Sequence, residues 1–266
     1  MRVARHFKAH RCNPDDLTKS ICEAILKSGV PKDDCYGLFL RDLSAKIGEE
    51  PVNTVVLART VSEDKVVELR SYSVNARTKS PVDCKVWEAG RATSVCRMYV
   101  PPFKLGDADV HFCDVGTSDV GTSVYNPSLR ALREARELWK SRTAGKHVPI
   151  ACFLSIGTGT SPRPTMPKGM DVPGRKSGRI SKAVQYHLDI IKSCEDTHEK
   201  FLYELKQPLA PQIPYWRLNV PDIGKLGLDE HKYRGRILDE TTQYLAMAEK
   251  EIDQIVRILK TTKPAG

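Results

Sequence analysis

The hydrophobic positions of the chain follow two different spacings, which predict helices and strands in turn. Apolar residues three and four apart indicate amphipathic helices, whereas β-branched or alternating runs indicate strands. Helices are predicted over residues 15–28, 87–95, 127–140 and 181–205, and strands over 54–58, 66–69, 109–113 and 148–155. Strands that alternate with helices predict an α/β fold, in which helices flank a mainly parallel sheet.

Two of these patterns also predict what is buried. The run 148–155 is apolar almost throughout, which is typical of a strand covered on both faces. Near the end of the chain, Leu238, Leu245, Ile252 and Leu259 recur every seven residues on one long predicted helix. The stripe is short and alone, so we interpret it as core packing and not as a coiled coil.

Composition places the chain among ordinary globular proteins. Of its 266 residues, 40% are hydrophobic and 28% are charged, which excludes wholesale disorder. No apolar run reaches the roughly 18 residues that a membrane-spanning helix needs. The eight cysteines are scattered without a Cys-x-x-Cys pair, and no apolar signal segment follows Met1. These features predict a reduced, cytoplasmic environment.

The positive charge of the chain is concentrated in one segment. Residues 161–182 carry six Lys or Arg against one Asp, a net charge of +5 out of +9 for the whole chain, and they include four prolines. This composition predicts a solvated loop whose charge could meet anionic lipid head groups. Without interleaved aromatic residues it does not indicate a nucleic-acid platform, and no nucleic-acid partner is expected. Residues 1–14 are also basic and are interpreted as an N-terminal extension.

A tandem repeat follows the predicted strand at 109–113. Asp114-Val-Gly116-Thr-Ser is followed at once by Asp119-Val-Gly121-Thr-Ser, and the segment ends in Asn126-Pro127. In α/β sheets, functional loops lie beyond the carboxyl ends of strands. An Asp-x-Gly turn at such a place could hold a carboxylate at the mouth of the sheet. The alternative is a small duplication that a surface loop tolerates.

Other candidate chemistry is weaker. Gly157-Thr-Gly159 follows a strand but lacks the Lys-Ser/Thr ending of a phosphate-binding loop, so a tight turn with close backbone approach is the better interpretation. Cys194 and His198 are four residues apart, which we interpret as a solvated pair on a helix and not as a metal site. Neither a cofactor nor a metal is therefore expected. The Gly-x-Ser-x-Gly elbow of serine hydrolases is absent, and no nucleophile is identified.

Five segments in order resemble the patatin-like phospholipase family, over about residues 15–260. Trp87–Ser94 is similar to the family's W-E-A-x-R-A-T-S segment, with Pro101-Pro102 beyond it. The Asp-x-Gly loop that leads to Asn126-Pro127 resembles the family's turn before N-N-P, and Ser155–Gly159 resembles S-I-G-T-G. Downstream, YWRLNVP (215–221) and LDE (228–230) are similar to the family's C-terminal section.

The resemblance implies an α/β lipid acyl hydrolase that acts on lipid esters through a Ser-Asp dyad. In that mechanism the aspartate takes the proton of the attacking serine and later activates water. The dyad aspartate corresponds to Asp114 when counted from the preceding strand and to Asp119 when counted back from Pro127, and we slightly prefer Asp114. Gly116, Gly121 and Asn126 would shape the loop.

This sequence departs from the family in ways that bear on activity. The Gly-rich oxyanion turn and the nucleophile elbow have no counterpart, so we expect a patatin-like domain truncated at its N-terminus, over 15–266, with a helical section from 183 onward. Val115 or Val120 replaces the family's small residue after the aspartate, and Tyr125 replaces its first Asn. Whether the chain is an enzyme is therefore open, and alone it is expected to be inactive.

Two functions follow from the resemblance. The first is lipid degradation, with the missing N-terminal half supplied by a second chain. The alternative is a non-catalytic module that binds a lipid surface or a protein. Both predict a lipid or membrane surface as partner and a cytoplasmic location, with peripheral attachment to membranes or lipid droplets as a variant.

Overall fold

The structure is a computed structural model of the 266-residue chain. It describes residues 13–27, 30, 36–42, 52–74, 83–95, 100–105, 110–113, 124–143, 148–160, 180–207, 212–223 and 231–261. Its helices are α1 (Pro14–Lys27), α2 (Val86–Thr93), α3 (Ser128–Arg142), α4 (Ile180–Leu205), α5 (Arg234–Met247) and α6 (Glu249–Thr261). Its strands are β1 (Val55–Thr60), β2 (Val66–Arg70), β3 (Phe103–Lys104), β4 (His111–Cys113), β5 (Phe153–Ile156) and β6 (Tyr215–Leu218).

The chain divides into two compact units, residues 1–125 and 126–266. The first unit has a four-stranded sheet in the order β2-β1-β4-β3, and every neighbouring pair is antiparallel. The strands β1 and β2 are joined by only five residues, and a connection this short permits only antiparallel pairing. The second unit contains the parallel pair β5-β6.

The fold is therefore mixed α/β, as the sequence predicts, and the helices near 15–28, 87–95, 127–140 and 181–205 are confirmed. Among the described residues only the β5-β6 pair is parallel, so the mixed α/β class is confirmed and a mainly parallel sheet is not. The hairpin turn that contains Asp64, whose φ is 51°, explains why β1 and β2 pair antiparallel.

A hydrophobic core holds the first unit together. Residues of β1, β2 and β4 on one sheet face pack against α2, and the most deeply buried members are Ala58, Leu69, Ala92, Leu105 and Phe112. The apolar cluster of the second unit is smaller. It consists of Leu132 on α3, Phe201 on α4 and Ile213, with Phe153 and Tyr215 packed against them.

Three predictions about the second unit need correction or fall outside the described residues. Only residues 153–155 of the run 148–155 lie in β5, which ends at Ile156. Leu154 and Ile156 are exposed, because the described helix α4 packs on the opposite face of the pair. The seven-residue stripe is not core, since Leu238 is 65% and Leu259 58% exposed, and it spans two helices that meet at Ala248. The basic loop 161–182 lies outside the described residues up to position 179, and α4 begins at Ile180.

Candidate functional site

The four loop positions singled out in the sequence lie outside the described residues. These are Asp114, Gly116, Asp119 and Gly121. The structure does describe both ends of that loop. Strand β4 ends at Cys113, directly before Asp114, and Asn126 stands two residues before helix α3.

The strand before the loop is held in place from both sides. Phe112 is 1% exposed and lies in the core of the first unit, whereas Cys113 is paired with Arg59 on β1. The guanidinium of Arg59 is fully buried, and its Nη1 donates to the backbone oxygen of Asp64 at 2.6 Å and to its Oδ1 at 3.1 Å. A buried, paired arginine therefore stands across the ladder from the last residue before the loop.

At the other end of the loop, Asn126 is buried and uses both ends of its amide. Its Oδ1 accepts hydrogen bonds from the Ser128 backbone N–H at 3.1 Å and the Ser128 hydroxyl at 2.7 Å. Its Nδ2 donates to the backbone oxygen of Cys194 on α4, at 3.1 Å. Asn is a residue type that often caps a helix. Pro127 instead occupies the N-cap position, yet the Asn126 side chain does satisfy the N–H of the first helical residue.

From Asn126 the polar contacts continue to the end of β5. The hydroxyl oxygens of Ser128 and Ser155 are 3.2 Å apart, and Ser155 Oγ also accepts a hydrogen bond of 2.9 Å from Arg217 Nη1. The Arg217 side chain is 9% exposed, and its Nη2 lies 3.2 Å from Glu195 Oε1. A buried guanidinium is costly unless it is paired and hydrogen-bonded, and here a carboxylate and a hydroxyl supply those partners.

The Gly-rich turn after β5 is joined to β6 through its own amides. The N–H of Gly157 donates to the Leu218 oxygen and that of Thr160 to the Val220 oxygen, both at 2.8 Å, and the N–H of Gly159 donates to Asn219 Oδ1 at 2.7 Å. Because protein acceptors use these amides, the turn does not offer them to a phosphate.

Close backbone approach at this turn, which the sequence predicts, is confirmed. A Cβ placed on Gly157 would lie 2.2 Å from Asn219 Oδ1, so no larger residue fits without displacing the Asn219 side chain. Gly159 has a φ of 114°, which L-residues rarely adopt. Both glycines are therefore required by the geometry of the turn.

A second branch of the network links α4 to β6. His198 Nδ1 lies 2.9 Å from the hydroxyl of Tyr215. Burial, and next to it the charge of Arg217, lowers the pKa of His198, so the imidazole is neutral and its Nδ1 can accept a hydrogen bond from the phenol. Burial raises the pKa of Tyr215, although hydrogen bonding from Ser155 opposes this shift. The phenol and imidazole are therefore both held uncharged.

The interpretation of Cys194 and His198 as a solvated pair is wrong. Both side chains are partly buried, because α4 turns this face toward β5 and β6. Burial also raises the pKa of the Cys194 thiol, which keeps it protonated. Within the described ranges, no group of three or more metal-ligating side chains is present.

The network, defined here as Asn126, Ser128, Ser155, Glu195, His198, Tyr215, Arg217 and Asn219, is chemically a scaffold. Apart from Arg217 Nε, which is buried without a hydrogen-bond partner, its buried polar atoms pair mainly with one another. Ser155 is only 8% exposed, so it does not present a nucleophile to a substrate. What it can do is fix the distance between the start of α3, the end of β5 and the end of β6. The loop 114–123 leads directly into this scaffold.

Sequence reasoning found Asn126 and the Gly157 turn but missed most of this network. One signal was present: Arg217 lies between Trp216 and Leu218 in a short apolar strand, and a charged residue there needs a buried partner. Neither Glu195 nor Ser128 carries a signal of that kind. No protein-family model and no curated protein matches this chain. None of the helices in the described part is long and apolar enough to cross a membrane.

Proposed function

We propose that this chain contributes the aspartate and the supporting scaffold of a patatin-like lipid acyl hydrolase. The observation that carries the proposal is that three separate segments of the resemblance meet in one hydrogen-bond network. Asn126 belongs to the segment before Pro127, Ser155 to S-I-G-T-G, and Arg217 and Asn219 to YWRLN. Segments up to about 90 residues apart in the sequence are thus connected, and the first of them directly follows the loop that bears the candidate aspartate in the sequence.

The position of β4 supports Asp114 over Asp119. Asp114 follows directly on Cys113, a buried strand residue, so its backbone starts from a fixed point. Asp119 is five residues further along the repeat. In the proposed reaction, the carboxylate accepts the proton of a serine hydroxyl while the serine oxygen attacks the ester carbonyl, and the alcohol leaves with a proton. The same carboxylate then takes a proton from the water that hydrolyses the acyl-serine.

The proposal requires a serine on an elbow beside oxyanion donors, and these 266 residues contain no Gly-x-Ser-x-Gly. That serine would come from residues outside this sequence, on the same or a second chain. On this proposal, β5 and β6 are two strands of a larger, mainly parallel patatin-like sheet. The protein would work in the cytoplasm at a lipid surface.

The test is complementation with a segment that carries the Gly-rich turn and elbow of a patatin-like domain. Hydrolysis of a short-chain ester and labelling by a serine-reactive fluorophosphonate are measured for the chain alone and for the mixture. We expect neither signal from the chain alone and both from the mixture. In the mixture, Asp114→Asn should abolish turnover, and Asp119→Asn should have little effect.

The Asp114→Asn/Asp119→Asn double variant is the control for the chain alone. Robust turnover by the isolated chain that this double variant abolishes would reveal a nucleophile in these residues and overturn the proposal. Failure of complementation while the mixture forms a complex would also count against it. That second result would favour the alternative function below.

The alternative is a non-catalytic module that binds a lipid surface or a protein. The observation that favours it is the exposure of large apolar side chains in the second unit, such as Ile156 at 76% and Met247 at 79%. Co-sedimentation with vesicles of neutral and of anionic lipid, measured together with ester turnover, distinguishes this module from the acyl hydrolase. Tight binding by the chain, with no turnover in any mixture, supports the module.

A further inference from the structure

Three hydroxyl groups and an imidazole form a line between the start of α3 and helix α4. The line runs from Ser128 and Ser155, called here the serine pair, through the hydroxyl of Tyr215 to His198. The two serine oxygens are 3.2 Å apart, and the phenol oxygen lies 2.9 Å from His198 Nδ1. Ser155 also hydrogen-bonds the hydroxyl of Tyr215. Because each hydroxyl has a single proton to donate, the direction of these hydrogen bonds can be worked out.

Two neighbours of the serine pair determine most of its hydrogen bonds. Arg217 Nη1 donates to Ser155 Oγ at 2.9 Å, and a guanidinium has no acceptor. Asn126 donates its amide N–H to a backbone oxygen of α4, so its Oδ1 faces Ser128 and accepts the Ser128 proton at 2.7 Å. The serine pair therefore keeps one proton, on Ser155, and this proton has two acceptors within reach, Ser128 Oγ and the hydroxyl of Tyr215.

This one proton gives the line two complete arrangements. In the first, Ser155 donates to Tyr215, and Tyr215 donates to a lone pair on His198 Nδ1. In the second, His198 Nδ1 carries a proton and donates to Tyr215. Tyr215 then donates to Ser155, and Ser155 donates to Ser128. Only hydroxyl protons rotate between the two arrangements, so no helix or strand has to move.

The charge of the imidazole selects the arrangement. A doubly protonated ring has no acceptor nitrogen, so it permits only the second arrangement. With a neutral ring the first arrangement is favoured, because both Ser155 and Tyr215 then turn their oxygens toward the Arg217 cation. Protonation of His198 therefore reverses the hydrogen bonds along the line.

The charged groups around His198 keep the ring neutral near pH 7. Among the described residues, Arg217 on β6 disfavours the imidazolium, whereas Glu195 and Glu199 on α4 favour it. Strand β5 carries no charged side chain. Burial has the largest effect, and together these groups lower the pKa of His198 below its ordinary value of 6.5. The reversal is therefore expected on acidification.

We propose that the serine pair, Tyr215 and His198 form a proton-controlled relay, in which protonation of His198 on α4 reverses the hydrogen bonds as far as Ser128. Ser128 is the first residue of α3, so the relay reports the charge of one helix at the start of another. That helix follows the loop 114–123 in the sequence. The relay is a pH-sensitive device of the scaffold, and it does not depend on the proposed catalytic function.

The first test is a pH titration of the full wild-type chain, followed by ¹H and ¹⁵N nuclear magnetic resonance. The ring nitrogens of His198 report its pKa and its tautomer. We expect the neutral ring to carry its proton on Nε2, since Nδ1 accepts from Tyr215 in the first arrangement. The backbone amide signal of Ser128 should shift with the same midpoint as His198.

Two substitutions should move the pKa of His198 in opposite directions. Tyr215→Phe keeps the ring but removes the hydrogen bond donated to the neutral imidazole, so the pKa should rise by about 0.5 to 1 unit. Ser128→Ala removes the acceptor that the second arrangement needs, so the pKa should fall by a similar amount. In Tyr215→Phe the Ser128 amide should no longer follow His198.

The matched control is Tyr203→Phe, which removes a phenol hydroxyl from the same helix at a residue that is 69% exposed. It should leave the pKa of His198 and the titration of the Ser128 amide unchanged. Circular dichroism of each variant shows whether the fold is retained. If a variant does not fold, the tautomer and the Ser128 amide of the wild-type chain still decide.

Three results would overturn the proposal. A neutral His198 that carries its proton on Nδ1 would mean that the second arrangement already holds without the extra charge. A Ser128 amide that does not shift while His198 titrates would mean that the line does not transmit the change. If Tyr215→Phe and Ser128→Ala both shift the pKa of His198 in one direction, burial and not the relay controls it.

Discussion

The two units of this chain are stabilised by different means. In residues 1–125, side chains of three strands and α2 form one continuous apolar core, and Ala58, Leu69 and Ala92 are fully buried within it. In the described part of residues 126–266 the buried apolar cluster around Leu132 and Phe201 is smaller, and a network of polar side chains lies beside it among α3, α4, β5 and β6. The first unit thus depends mainly on packing, whereas the second combines packing with hydrogen-bond partners of fixed geometry.

The difference shows which unit can specify a site. Apolar packing is tolerant of exchange among side chains of similar volume. A buried polar network tolerates little change, because each member left without a partner costs free energy. The second unit accepts that cost, and its network begins at Asn126, which follows the loop with the candidate aspartate in the sequence.

The largest effect is expected in the core of the first unit. Phe112→Ala removes a ring that is 1% exposed and should lower the free energy of unfolding by about 3–5 kcal/mol. Phe103 is its neighbour in the ladder and is only half-buried, so Phe103→Ala should cost clearly less. Urea unfolding followed by circular dichroism measures both. Equal losses would show that the unit has no concentrated core.

The next largest effect is expected at the polar network of the second unit. Asn126→Ala removes three hydrogen bonds and leaves the Ser128 hydroxyl and the Cys194 oxygen short of a partner. The expected loss is about 3 kcal/mol in the free energy of unfolding. Asn126→Asp keeps the acceptor but places a carboxylate oxygen against the Cys194 oxygen and adds a buried charge, so it should not restore the stability. A loss well below about 1 kcal/mol for Asn126→Ala would mean that the network contributes little.

Two glycine substitutions compare the stability effect at the constrained turn with that at an exposed helix. Gly157→Ala forces Asn219 aside and should cost about 2 kcal/mol of unfolding free energy. Gly235 on α5 has no atom within 4 Å of an added Cβ, so Gly235→Ala should stabilise by up to about 1 kcal/mol. The shift of the unfolding midpoint in urea reports both. A neutral Gly157→Ala would contradict the close approach seen at the turn.

The smallest effect is expected in the pH dependence of stability, and it arises from His198 in the second unit. Burial and Arg217 lower the pKa of His198 below its ordinary value of 6.5, so below pH 6.5 the unfolded chain binds more protons at this residue than the folded one. Stability should therefore decrease as the pH falls from 6.5. His198→Phe should flatten this slope when unfolding is measured at several pH values, and a slope unchanged by the substitution would assign it to other groups.

Local patterns predicted the helices well, for identifiable reasons. Helices α3 and α4 have apolar residues on one face, and α3 begins after an Asn-Pro pair. The strand pattern at 148–155 was less informative, because an apolar run does not reveal whether one face or two are covered. Here α4 packs on the face that carries Phe153, whereas Ile156 on the other face is exposed.

In the candidate site, too, residues with a local sequence signal could be predicted, whereas residues defined by distant contacts could not. Asn126 and the Gly157 turn could be identified, since Asn before a helix and Gly after a strand have local conformational causes. Ser128, Glu195 and His198 could not, because they contact Ser155, Arg217 and Tyr215, which lie 27, 22 and 17 residues away in the sequence. Only the packing of α4 against β5 and β6 brings these side chains together.

By itself, the sequence determined the elements, the mixed α/β class and the local turns, because periodicity and backbone preferences act over a few residues. The tertiary structure decided how β1 pairs with its neighbours, that a polar network lies between α4 and the parallel pair, and that the seven-residue stripe is exposed. Those outcomes depend on which surfaces pack together, because the burial of a side chain is determined by its tertiary contacts and not by its residue type.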